Sequence, residues 1–330
     1  MSGMSGMSLP EVSALSGRIL DEVERAVVGK RQPLALVLSA ILAGGHVLLE
    51  DFPGLGKTLA ARSFAATLGL DFTRAQFTPD LLPGDLTGSF VYDQREREFA
   101  FRRGPLFTGL LLADEINRTP PKTQSALLEA MQERQVTVEG QTFVLDRPFH
   151  VIATANPVEY EGTYPLPEAQ LDRFLLRVSF GYPTAREELQ VLTNRMTRRH
   201  EEIDLDRVTD GPGLLAMQEA VEATTVDDSV AAYCVNLATA SRDHPHVLMG
   251  ASPRGSLALL LVGRAYAVLR GRDYVTPEDV KAVAVSVLAH RITVKPELWM
   301  SNVTGRSVVE AILGSVPTPA ARESHHGDGS

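Results

Sequence analysis

From about Glu11 to Phe180, short and almost wholly apolar runs alternate with stretches in which apolar residues recur at helical spacing. Such runs read as strands buried on both faces, and the stretches between them as helices covering a parallel sheet. Strands are predicted over Val47–Leu49, Phe72–Gln76, Leu110–Ala113, His150–Ala155 and Leu175–Phe180. Helices are predicted over Pro33–Ala43, Thr58–Leu68 and Pro121–Glu133, the last with Ala126, Leu127, Ala130 and Met131 along one face. Two insertions interrupt the rhythm. Gly84–Arg103 holds the extended pieces Gly88–Tyr92 and Glu98–Phe101 and is expected to project as a hairpin or as a loop on a short helix. Gln135–Leu145 alternates about Glu139-Gly140 and predicts a β-hairpin.

After Gly181-Tyr182-Pro183 the pattern becomes helical from Ala185 to about Gly314, with segments Ser229–Ser241, Gly255–Leu269 and Glu278–Leu288. Thr276 as N-cap and Pro277 in the first turn open the last of these. The expected organisation is a flexible tail over residues 1–10, an α/β domain over 11–181, an all-helical domain over 182–315 and a disordered tail over 316–330. In the last tail Pro317 and Pro319 sit among small and polar residues, and the adjacent His325 and His326 lack the further ligands a metal site needs.

The chain has 330 residues, 44% hydrophobic and 22% charged, which agrees with two ordinary cores that need no staple. Its longest apolar run, Pro33–Ala43, is broken by Ser39 and is too short to span a bilayer. The opening Met-Ser-Gly-Met-Ser-Gly lacks the basic and apolar regions of a secretory signal. A single cysteine, Cys234, forms no intrachain disulfide and reads as a small buried hydrophobe; both features suit a cytoplasmic location. The net charge of −9 weighs against a nonspecific grip on nucleic acid. The densest basic stretch, Arg195–His200, reads as a solvated helix end followed by Glu201-Glu202.

The chemistry is concentrated after two of the predicted strands. Asp51, Phe52, Pro53, Gly54, Leu55, Gly56, Lys57, Thr58 and Leu59 form a phosphate-binding loop running into a helix. The glycines let backbone N–H groups wrap a polyphosphate, Lys57 reaches the β/γ-phosphates, and Thr58 offers its hydroxyl to Mg²⁺. Asp51 stands where the loop pattern asks for its first glycine, so Gly54 and Gly56 must carry the turn. Leu110–Ala113 then delivers the paired carboxylates Asp114 and Glu115. The pair predicts a nucleoside triphosphatase that uses Mg²⁺. No serine-hydrolase elbow, zinc-protease helix or Cys/His zinc spacing competes with it, and the eight histidines are scattered.

The run Ala113-Asp114-Glu115-Ile116-Asn117-Arg118-Thr119-Pro120-Pro121-Lys122-Thr123-Gln124-Ser125-Ala126-Leu127-Leu128-Glu129-Ala130-Met131 strongly resembles the MoxR family of AAA+ ATPases. The flanks resemble it too: Arg74–Gly88, the sensor 1 stretch Ala153–Pro157, Leu166–Phe174 ending in an arginine finger, and the sensor 2 stretch Gly250–Arg254. The resemblance implies ATP as the nucleotide and an AAA+ P-loop core with a parallel five-stranded sheet and a C-terminal helical lid. It implies that Thr58 and Asp114 hold Mg²⁺, that Glu115 polarises the attacking water and that Asn156 orients it. Arg173 would act on a neighbouring protomer's nucleotide, Arg254 would reach the γ-phosphate from the lid, and Val28 and Gly29 would contact adenine. A surface pair with Asp172 is the plainer alternative for Arg173.

A shared site implies a homo-oligomer, a hexameric ring in this family, and MoxR relatives act with proteins bearing von Willebrand factor A domains. The leading expectation is ATP-driven, chaperone-like remodelling or maturation of client proteins, with client contacts on the two insertions. The alternatives are a nucleic-acid motor on the same fold, the ATPase subunit of a chelatase-like metal-insertion complex, and a non-hydrolysing ATP-binding switch.

Overall fold

The structure, a computed structural model, describes residues 6–157, 163–200, 202–298 and 300–319. His325 and His326, and most of the expected C-terminal tail, lie outside the described residues. Helix α1 (Leu9–Ala26) is followed by α2 (Arg31–Leu42), β1 (Val47–Glu50), α3 (Lys57–Leu68), β2 (Phe72–Gln76) and the short α4 (Pro83–Thr87). Then come the hairpin β3 (Gly88–Asp93) and β4 (Glu98–Arg103), β5 (Leu110–Asp114), α5 (Pro121–Glu133) and a second hairpin, β6 (Gln135–Val138) and β7 (Gln141–Val144). Strand β8 (His150–Ala155), α6 (Glu168–Leu171) and β9 (Leu176–Val178) complete the α/β part. The helical part comprises α7 (Ala185–Arg198), α8 (Gly211–Glu222), α9 (Asp228–Asp243), β10 (Val247–Met249), α10 (Pro253–Leu269), α11 (Pro277–Leu288), β11 (Thr293–Val294) and α12 (Gly305–Ser315).

Five strands form one parallel sheet in the order β2-β5-β8-β1-β9. The period of two along each strand divides its side chains between two cores. Leu110 and Leu112, with Val47 and Leu49, face one cluster; Leu111 and Ala113, with Leu48, face the other. The first cluster is continuous from α1, α2 and α3 to α9, α10, α11 and α12, so one sheet face shares its apolar interior with the helical part. The second gathers around Leu127, Leu128 and Met131 of α5. The small antiparallel ribbon of β10 and β11 ties together the chain ahead of α10 and the chain after α11.

Local chemistry sets the boundaries. Helix α1 begins at Leu9 because the Glu11 carboxylate accepts bonds from the Ser8 N–H (2.8 Å) and hydroxyl (2.6 Å), so Leu9 and Pro10 are helical rather than part of a flexible tail. Helix α11 opens at Thr276 with a reciprocal bond to Asp279. Strand β9 stops at Val178, short of the predicted Phe180, because the next backbone donors turn to the Asp51 carboxylate. The first insertion is both things expected of it, a short helix and a hairpin.

Candidate nucleotide crevice and a groove at the far end of the sheet

The loop between β1 and α3 turns on Gly54 (φ 81°) and Gly56 (φ 82°), a region that side chains resist. A Cβ at either would meet nothing within 4 Å, so the need for glycine is in the backbone and the concavity above it is open. That open turn, leading into the first N–H groups of α3, fits a polyphosphate. Lys57 extends along the loop, and its Nζ donates to the Asp51 carbonyl and, at 3.4 Å, to that of Ala155.

Asp51, expected among the nucleotide-binding residues, points the other way. Its buried carboxylate accepts bonds from Ser179 Oγ (2.8 Å), Phe180 N–H and Gly181 N–H, which fastens the loop to the end of β9. A carboxylate with that many donors is satisfied without a ligand, and its position explains why glycine is dispensable there.

Beside the loop, β5 delivers Asp114 and Glu115. Asp114 Oδ1 accepts the Thr154 hydroxyl at 2.6 Å, and Oδ2 accepts Arg74 Nε at 3.0 Å and its NH2 at 2.6 Å. Carboxylate and Thr58 hydroxyl are donors a hard cation prefers, and with both Asp114 oxygens engaged the fit is through bound water. Glu115 sits at φ 57°, a left-handed pose costing on the order of 1–3 kcal/mol off glycine. Its N–H bonds Thr154 Oγ1 (2.8 Å), and its Oε2 accepts Gln76 Nε2 (2.7 Å) and Arg118 (3.0 Å). Asn156, at the tip of β8, is buried and its carbonyl accepts Asn117 Nδ2 at 3.2 Å.

Sequence reasoning missed Arg74, Gln76, Arg118 and Thr154 as parts of this site. The signal lay in strand register: Gln76 pairs with Asp114 and Arg74 with Leu112, so both β2 side chains share the face and edge of the acidic pair.

Val28 and Gly29 precede Lys30, which ties this segment to the chain beside the loop. Gly29 has φ 74°, a backbone conformation that side chains resist, and a Cβ there would also displace the Glu187 carboxylate of α7. Lys30 Nζ donates to the Tyr182 carbonyl at 3.0 Å, and the Tyr182 ring stacks on Phe52 with centroids 5.8 Å apart. An exposed aromatic pair beside these residues suits a flat heterocycle, and Tyr182 had not been singled out from sequence.

Arg173 and Arg254 are not in this crevice. They line a groove of about 520 Å³ with Gly44 and His46, residues that precede β1, whereas the phosphate loop follows it. The two features therefore lie at opposite ends of the sheet. Asp172 does not neutralise Arg173: its Oδ1 accepts Arg291 Nε at 2.7 Å and its Oδ2 the Ser252 hydroxyl at 3.0 Å. Ser252 also caps α10, its hydroxyl accepting the Arg254 N–H at 3.2 Å, so one carboxylate is tied to the backbone at both arginines.

Two buried histidines brace the groove from below. His46 Nε2 donates to the Met131 carbonyl (3.1 Å) and its Nδ1 accepts the Val151 N–H (3.0 Å). His150 Nδ1 donates to the Gly45 carbonyl (2.9 Å) and its Nε2 accepts the Gln218 amide (3.0 Å). Each ring is neutral with both nitrogens used; burial pushes His46 down to about 3 and His150 to about 4.

A parallel sheet in this order, with the phosphate loop after β1 and the acidic pair ending β5, defines a P-loop ATPase core of the AAA+ class. The profile of the ATPase family associated with various cellular activities (AAA) matches residues 46–176, and that of the AAA lid domain matches residues 239–312. The chain is 48% identical to the uncharacterized protein YeaC of Bacillus subtilis, over 95% of this chain and 98% of that one. It is 41% identical to Chaperone MoxR1 of Mycobacterium tuberculosis, over 96% of this chain and 85% of the relative. A crystal structure of a Cytophaga hutchinsonii protein superposes with a TM-score of 0.87 at 40% identity, covering 94% of this chain and 96% of that one. The chain belongs to the MoxR family of AAA+ ATPases.

Proposed function

We propose that the chain is a Mg²⁺-dependent ATPase that works as a homo-oligomeric ring, hexameric in the MoxR pattern, and couples hydrolysis to remodelling or maturation of client proteins. The observation that carries this reading is the separation of the crevice from Arg173 and Arg254 by the length of the sheet. A protomer cannot aim those arginines at its own loop, but a head-to-tail neighbour brings them to it.

In this reading the loop amides and Lys57 bind the β/γ-phosphates, while Val28, Gly29 and Tyr182 border the base. Thr58 and Asp114 would hold Mg²⁺, directly or through water, and the ion would supply positive charge against the phosphates. Glu115 exchanges its bonds to Gln76 and Arg118 for one to water and takes its proton, with the Asn156 amide orienting the same water. The neighbour's Arg173 stabilises charge on the transferring phosphoryl group. Arg254, expected from sequence to serve its own protomer, is assigned with Arg173 to the neighbour.

The client surface is assigned to the stacked hairpins. Tyr92 and Phe99 are exposed and pack edge to face at 5.4 Å, and Phe101 of the same hairpin stacks on Phe143 of the next at 3.9 Å. Such a rigid aromatic edge suits transient grip on unfolded or flexible chain. The resemblance to a relative named as a chaperone supports this role; a von Willebrand factor A domain protein as partner and the cytoplasm as location are parts of the same proposal. Among the described residues no helix is long and apolar enough to cross a membrane.

Co-assembly of Arg173→Ala with Glu115→Gln chains tests the reading. Each variant alone is expected to be inactive, and mixed rings to regain phosphate release at junctions that pair an intact Glu115 with an intact Arg173. No recovery in assembled mixed rings overturns the shared site.

A further inference from the structure

We propose that Arg134 is a third guanidinium that each protomer offers to its neighbour's triphosphate, beside Arg173 and Arg254; the assignment rests on the shared-site reading above. Arg134 directly follows α5 and lines the same groove as those two arginines. Its backbone is left-handed at φ 51°, held by its N–H on the Ala130 carbonyl (3.0 Å) and by its carbonyl on the Leu145 N–H (2.9 Å). The end of α5 is fixed again by His46 on Met131, so the side chain leaves a rigid platform.

The charge around Arg134 is unbalanced. Besides the three arginines, the groove holds Arg291, Glu133 and Asp172, and Asp172 is already committed to Arg291. Among the described residues Arg134 makes no ion pair or side-chain hydrogen bond. Burial lowers its pKa, and the neighbouring Arg147 charge lowers it further. A partly desolvated cation beside another, with no carboxylate bonded to it, is a cost to the folded protomer that an arriving anion relieves. In the ring the anion that meets this groove is the β/γ-phosphate of the neighbour. Arg134 also borders the adjoining cavity, which Arg147, Glu219 and Glu222 line, but it bonds neither glutamate; Arg147 does not line the groove and is not part of the set.

The plainer role for Arg134 is a cation at a helix C-terminus, which acts within its own protomer. Turnover by full-length Arg134→Gln, alone and co-assembled with Glu115→Gln, separates the two. The proposal expects kcat to fall on the order of 10- to 100-fold with unchanged affinity for a fluorescent ATP analogue. It expects recovery in mixed rings, where Glu115→Gln chains supply intact Arg134 to the crevices of Arg134→Gln chains. Wild-type turnover by Arg134→Gln overturns it, as does a loss that mixing does not repair while the Arg173→Ala loss is repaired. If neither is repaired, the shared-site reading fails together with this one. Should Arg134→Gln melt early, Arg134→Lys keeps the charge and the cap but not the planar fork. A severalfold loss repaired in mixed rings then supports the proposal, and wild-type turnover refutes it.

Discussion

At the C-terminal end of the sheet each charged side chain of the crevice has a partner within the protomer: Lys57 on two carbonyls, Asp114 on Arg74 and Thr154, Glu115 on Gln76 and Arg118. At the N-terminal end Arg134, Arg173 and Arg254 have no ion-pair partner among the described residues, although the carboxylate tied to the backbone at the latter two is fully engaged. The crevice is built to wait in a closed hydrogen-bonded state that nucleotide must reorganise. In the proposed ring the groove is completed from outside. A site divided in this way has its chemistry in one half and its permission to react in the other.

The sharpest way to break that contrast is to damage each half separately. Arg173→Ala is expected to lower kcat by about 10³-fold while leaving the affinity for a fluorescent ATP analogue unchanged. Lys57→Ala is expected to weaken that affinity roughly 10- to 100-fold. Equal effects on binding by both variants would erase the division.

Acid should undo the groove end first. His46 and His150 sit at about 3 and about 4 in the folded chain against an ordinary 6.5, so the unfolded chain takes up their protons at higher pH. Their contribution is complete above pH 6.5 and falls as pH drops, by about 1.4 kcal/mol per histidine per pH unit, or roughly 4 kcal/mol for the pair at pH 5. Urea titrations at pH 7 and pH 5 measure this, and His150→Gln should flatten part of the slope.

At the crevice, Asp51→Ala leaves the Phe180 and Gly181 donors without their acceptor and should cost about 2 kcal/mol in urea unfolding. A silent Asp51→Ala would show that the fastening to β9 is unimportant. The smallest effect is expected from Gln76→Ala, which removes one bond restraining Glu115 and should raise basal turnover a few-fold, about 1 kcal/mol in barrier. Lowered turnover would instead assign Gln76 to catalysis.

What could be read in the sequence was what lies close together along the chain. Gly54, Gly56, Lys57 and Thr58 declare a phosphate loop because one turn of backbone builds it, and Leu110–Asp114 declares its strand because a doubly buried strand has few polar positions. Arg74, Gln76 and Thr154 stayed hidden because they reach the acidic pair only through the register of neighbouring strands. Asp51 was misassigned because loop position says nothing about which way a side chain turns, and the bonds that turn it come from Ser179, Phe180 and Gly181. The location of Arg254 depends on how α10 packs across the sheet end, a tertiary fact that no local pattern encodes.

The Arg291–Asp172 clasp has a mechanical corollary. Arg291 also donates to the Phe174 carbonyl at 2.8 Å, so a guanidinium from the helical part grips Asp172 and Phe174, the two residues that flank Arg173, and its side chain is only 3% exposed. Such a joint leaves little slack: in the proposed ring, a tug on the arginine tip by an adjoining subunit would be passed to the helical block, the way a crank turns its shaft, rather than being lost as local wobble.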